Sequence, residues 1–190
     1  MLILSAFGLI SPIFAIFLKE GITGGSILAA GTASTIFFSV KSVVQLPLAR
    51  YIDTKKVKIG FLIAGTFLIV LVPFFYALSP NIKYIYLAQV VYALGAACAY
   101  PAWFSLFTMH LDKKHRGFEW SLWSTGVGIG TAAAAYIGAT IAGKFGFDSV
   151  FYVVGIMSLF GMFVLLFLSK KFLKEVEDGA NLLRMKHIKT

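Results

Sequence analysis

The sequence is poor in charge and nearly without cysteine. Only 13% of its 190 residues are Asp, Glu, Lys or Arg, and Cys98 is the single cysteine. One thiol forms no intrachain disulfide, so no disulfide framework organises the chain. All eight acidic residues (Glu20, Asp53, Asp112, Glu119, Asp148, Glu175, Glu177 and Asp178) fall between apolar runs, at their ends, or near the C-terminus. His110, His115 and His187 are equally peripheral. A catalytic pair, a metal cluster or an internal proton relay needs such groups gathered in the interior, so the expectation is no enzyme, no catalytic residue, no metal and no cofactor. No Gly-rich phosphate loop is present, which argues against ATP hydrolysis by this chain.

What is abundant is apolar surface. Hydrophobic residues make up 59% of the chain and the mean hydropathy is +0.87, more than a soluble domain of this length can hide. Six apolar runs can be read, at 1–18, 25–49, 57–78, 83–109, 120–143 and 148–168. About 20 apolar residues cross the hydrocarbon as a helix, and backbone amides in lipid must be satisfied within the segment. The predicted fold is an all-α membrane protein: a bundle of six transmembrane helices over 1–169, followed by a basic cytoplasmic tail or linker over 170–190. The first run has no basic residue before it and no cleavage pattern, so it reads as a span rather than a signal peptide.

The formal charge of +9 would suggest nucleic acid in a soluble protein, but here the basic residues separate apolar runs and set orientation. Arg50, Lys55, Lys56, Lys58, Lys113, Lys114, Arg116 and the six of the tail make thirteen on one set of connections, against Lys19, Lys83 and Lys144 on the other. The thirteen belong on the cytoplasmic side, and six spans then put both termini there. No nucleic-acid partner is expected.

The third and sixth runs are almost wholly Phe, Val, Leu, Ile and Met, whereas the first, second, fourth and fifth carry more Gly, Ala, Ser and Thr. Small residues let helices approach closely. The expectation is that those four form the packed interior and that the other two face lipid. Two trios, each ending in a lipid-facing member, suggest a three-plus-three inverted repeat.

Lys41 is the one charged residue well inside a run, with two readings. It either snorkels to the cytoplasmic end or lines a cavity. Gly31, Ser34, Lys41 and Gln45 share one helical face. Gln89, Tyr92, Ala96, Tyr100 and Trp103 form a second stripe that suits either helix packing or a solute cavity. Gly126, Gly130, Ala134 and Gly138 repeat every four residues, the pattern of close helix contact. Pro12, Pro73 and Pro101 lie within runs and each removes a helical hydrogen bond. The tail reads either as an amphipathic helix on the cytoplasmic leaflet, interrupted at Gly179, or as a disordered linker.

The connection from Gln45 to Lys58 carries Ala49, then Asp53 four residues on, then a basic cluster. It resembles the signature of the major facilitator superfamily at that place, with Asp53 matching the acid and Lys58 the second basic position; Ala49, Thr54, Lys56 and Val57 depart from it. Asp112-Lys113-Lys114-His115-Arg116-Gly117 resembles the Arg-Gly turn of the family, and the Gly-rich fifth run follows as it does there. The resemblance covers 1–169 and looks more like the N-terminal half of a twelve-helix protein.

It implies half of a secondary active transporter that moves a small solute by alternating access, in the plasma or bacterial inner membrane. Ser34, Lys41, Gln45, Gln89, Tyr92, Tyr100 and Trp103 are then cavity candidates, and Ala49, Arg50, Asp53, Lys58 and Arg116 cytoplasmic gate candidates. A simple loop acid remains the other reading of Asp53. The implied partners are the solute with or without a coupling ion, membrane lipid, and a second six-helix half, whether covalent, separate or another copy. The competing reading is a six-helix membrane protein without transport activity, such as a remnant, assembly or scaffold subunit.

Overall fold

A computed structural model describes the backbone of residues 2–55 and 58–188 and side chains as far as Lys170. The described residues form seven helices and no sheet: α1 (Leu2–Gly8), α2 (Phe14–Glu20), α3 (Ile27–Asp53), α4 (Ile59–Ala77), α5 (Ile82–His110), α6 (Arg116–Phe145) and α7 (Phe147–Ile188). Five are long and apolar enough to cross a membrane: α3, α4, α5, α6 and the Phe147–Lys170 part of α7.

The first apolar run is not one helix. It divides into α1 and α2 around Pro12, which has no N–H to continue the ladder. The joint is still hydrogen-bonded, with Ile10 N–H to Phe7 O (3.1 Å), Ser11 N–H to Phe7 O (3.2 Å) and Ile13 N–H to Ile10 O (3.0 Å). The broken segment lies inside the molecule, because Ala6, Leu9, Ile10, Ile13, Phe17 and Leu18 are all buried. Pro47, Pro73 and Pro101, in contrast, are carried within continuous helices.

Local chemistry sets the other boundaries. Ser26 caps α3 by accepting from Ala29 N–H at 3.0 Å, and Asn81 caps α5 by accepting from Lys83 N–H at 3.1 Å. Ile82 N–H donates to Thr23 O at 3.1 Å, tying two connections together at one end of the bundle. Gly146 alone separates α6 from α7; its φ of +83° lets the chain reverse where a side chain would be strained. At the opposite end α5 passes into α6 through Leu111–His115. There Asp112 accepts from Lys114 N–H at 2.9 Å and pairs with His115 at 3.0 Å. These contacts, the first the larger, hold the Asp112 carboxyl below its ordinary range. The tail continues α7 as helical backbone through Gly179 rather than breaking there.

Packing overturns one expectation. α4 and α5 each bury nine positions, whereas α3 buries only Ala29, Ala30, Ala33 and Ile52, and α6 only Ala134 and Gly138. The apolar α4 is thus among the best-packed helices, and the small-residue helices α3 and α6 are the exposed ones. An all-round apolar helix can serve protein on one face and lipid on the other: α4 buries Leu62, Thr66, Ile69, Val72, Pro73 and Tyr76 while Phe67 and Phe75 stay outside. α4 and α5 cross where two glycines meet, since a Cβ on Gly65 would lie 2.5 Å from Ala99 N and one on Gly95 2.8 Å from Gly65 O. Cys98 reinforces the crossing by donating to Phe61 O at 3.2 Å.

Candidate functional site

Two adjoining cavities occupy the bundle. The smaller, about 440 Å³, is bordered by α1, the Pro12 joint, α2, α3, α4, α5 and α6, with Phe7, Ser11, Phe14, Ser34, Phe37, Tyr76, Gln89, Tyr92 and Thr131 among its walls. The larger, about 550 Å³, has walls from α1, α4, α5, α6 and α7, including Leu62, Thr66, Ile69, Tyr100, Trp103, Trp123 and Leu165. Leu4, Phe7 and Tyr92 line both. The rings of Phe7 and Tyr92 stack at 5.0 Å, and Phe37 joins Tyr92 at 4.6 Å. The partition between the cavities is therefore aromatic.

Gln89 is the most telling wall residue. As a residue it is only 4% exposed, and it lines the smaller cavity; among the described residues the buried side-chain polar atom without a partner is Ser158 Oγ, not this amide. An amide on a cavity wall can hydrogen-bond to a polar group that enters the cavity. The remaining fourth-run candidates divide between the cavities, Tyr92 on both and Tyr100 and Trp103 on the larger. Ala96 of the same stripe is fully buried and forms no part of either wall.

On α3, Ser34 lines the smaller cavity and Gln45 lines neither. Lys41 lies twelve residues before the end of α3 at Asp53 and lines neither cavity. Its ammonium sits instead 4.7 Å from the Tyr100 ring centroid and 5.7 Å from that of Phe37, a cation on two aromatic faces.

At the end of the bundle where α3 passes to α4, Lys58 folds back. Its Nζ lies 3.0 Å from Asp53 Oδ1 and donates to Ser105 Oγ of α5 at 2.6 Å. The Lys58 side chain is only 13% exposed against 69% for Asp53, so the lysine is the inserted member and the acid the outer one. Ala49 is half-buried one turn before Asp53, while Arg50 and Arg116 are exposed and form no ion pair among the described residues. The structure thus joins Asp53 to Lys58 and leaves Arg116 apart from them. A cluster of Trp103, Phe107, Trp120 and Trp123 closes the same end between α5 and α6, with Trp103 and Trp123 4.6 Å apart.

On α6, a Cβ at Gly130 would lie 2.5 Å from Ser5 Oγ, and one at Gly138 would collide with the carbonyl of Leu9. Ala134 is buried between them and Gly126 is exposed. This face meets α1 and the Pro12 joint, which brings Thr131 to the smaller cavity.

Sequence reasoning missed Phe7, Ser11, Phe14, Phe37 and Thr131 on the walls, and Ser105 beside Lys58. The phenylalanines carry no signal that separates a cavity wall from lipid contact. Ser11 did carry one, a hydroxyl beside the proline that breaks its helix. The family model described as Major Facilitator Superfamily matches residues 1–188. No curated protein matches the sequence.

Proposed function

This chain belongs to the major facilitator superfamily, and we propose from that premise that it is one six-helix half of a secondary active transporter, moving a small solute by alternating access. The observation that carries the reading is the pair of adjoining cavities within a helix bundle that matches the family, with the amide of Gln89 on the wall of the smaller. A protein that only scaffolds others has no use for polar side chains on cavity walls, whereas a solute can hydrogen-bond to them.

In this reading α1 and α2 act together as the first span, and α3 to α7 supply the other five as an inverted repeat of three and three. The break at Pro12 frees backbone groups beside Ser11, and irregular backbone within a membrane belongs where it lines a cavity. The thirteen-to-three excess of basic residues at one end supports cytoplasmic termini in a plasma or bacterial inner membrane. Lys58, Asp53 and Ser105 serve as a cytoplasmic latch between the α3–α4 connection and α5. With no carboxylate inside a span, any coupling ion finds its ligand outside this bundle or travels with the solute.

The second wall of the pathway comes from a second six-helix half, as a covalent continuation, a separate protein or another copy. The support is the exposure of α3 and α6, whose outward residues include Thr35, Ser39, Ser42, Ser124, Thr125 and Gly128. Such faces suit close helix contact better than acyl chains. Uptake of a broad panel of labelled solutes into vesicles enriched in this protein, with Gln89→Leu as control, tests the reading. Solute-specific uptake lost in the variant supports it; absence of uptake across the panel favours the non-transporting subunit.

A further inference from the structure

We propose that the paired cavities take an organic monoanion with an apolar body, its charge held at Lys41. The proposal rests on the transporter reading and names the solute class. Lys41 is on neither cavity's wall, but its ammonium sits against Phe37, which lines the smaller, and Tyr100, which lines the larger. It forms no ion pair among the described residues, and no Asp or Glu stands in the middle of any span to compensate it. A half-buried ammonium seated on two aromatic rings, with no carboxylate beside it, is free to pair with an anion.

The rest of the chemistry agrees. The amide N–H groups of Gln89 and the hydroxyl of Ser34 can donate to a carboxylate's oxygens from the smaller cavity. The larger cavity, with Leu62, Ile69, Val164, Leu165 and Trp123 on its walls, suits a hydrocarbon or aromatic body. A cationic solute would meet a like charge with no carboxylate to offset it, a neutral one would leave Lys41 uncompensated, and a dianion would bring one charge too many.

The test uses the purified full chain in nanodiscs and radiolabelled naphthoate, displaced by unlabelled naphthoate or by its near-isosteres naphthylmethylamine and naphthalenemethanol. Naphthoate should displace about tenfold or more better than either. Lys41→Gln should weaken naphthoate by about tenfold or more, and Lys41→Arg should retain most of the affinity. If Lys41→Gln fails to fold, the ranking of the three competitors on the native chain still decides. Equal displacement by all three, preference for the amine, a folded Lys41→Gln that binds naphthoate unchanged, or no naphthoate binding would each overturn the proposal. Naphthoate binding by this chain without solute flux in native vesicles that also hold its second half would sink the transporter reading and leave the anion site standing. Flux confined to cations or neutral solutes would do the reverse.

Discussion

At the scale of single residues, Lys58 shows how a side chain can matter without adding much stability. An exposed carboxylate such as Asp53 contributes only about 0–1 kcal/mol through an ion pair. The same ammonium reaches Ser105 on α5, however, and so spans two elements. If the contact is a latch, Asp53→Asn will cut transport while expression and membrane insertion stay unchanged, and Ser105→Ala will shift transport in the same direction. Uptake measured beside surface-normalised protein level checks both, and unchanged uptake would reduce Asp53 to a loop acid. The place of Gln89 and Tyr92 on a cavity wall was legible because each is a polar group at an otherwise apolar position. Ser105 was not, since one serine near a helix end is ordinary and only the folded chain brings Lys58 to it.

At the scale of elements, the tightest feature is the glycine crossing of α4 and α5. A methyl at Gly65 would press on backbone atoms of α5, which cannot swing aside as a flexible side chain would. Gly65→Ala should therefore destabilise by about 1–3 kcal/mol, read as a lower melting temperature in detergent. Gly60→Ala, where nothing lies within 4 Å of the added methyl, should not.

A milder prediction concerns the α5–α6 connection. Asp112 is held below the ordinary 3.8 of its type, so its contribution is present above the unfolded value and disappears as pH falls through the lowered one. Protection of the Lys114 amide, its exchange measured relative to an unstructured peptide at the same pH, should persist at mildly acidic pH and fall once Asp112 protonates; protection that does not change with pH would contradict the hydrogen bond. The runs themselves were legible from apolar length, to within a few residues at most ends. The division of the first run followed from a lost N–H at Pro12, which the sequence displays but whose effect depends on the neighbours: Pro73 and Pro101 interrupt nothing.

At the scale of the molecule, the exposed faces of α3 and α6 carry the clearest prediction about partners. In a Cys98→Ser background, cysteines at Ser39 on α3 or Ala133 on α6, both exposed, should cross-link in native membranes to a second half. A cysteine at Phe160 on the outer side of α7 should not. Products of the same yield from all three positions would mean that α3 and α6 face lipid like the rest. The sequence by itself determined that the chain is helical, membrane-embedded, basic at one end and free of acid inside its spans, because hydropathy, length and charge position are additive properties of neighbours along the chain. Only the tertiary structure decided which helices are covered, where the cavities lie and what Lys41 touches. An apolar side chain has the same composition whether it meets lipid, another helix or a cavity. The choice among these depends on residues such as Phe7, Phe37, Gly65 and Ser105, which come together across helices far apart in the chain.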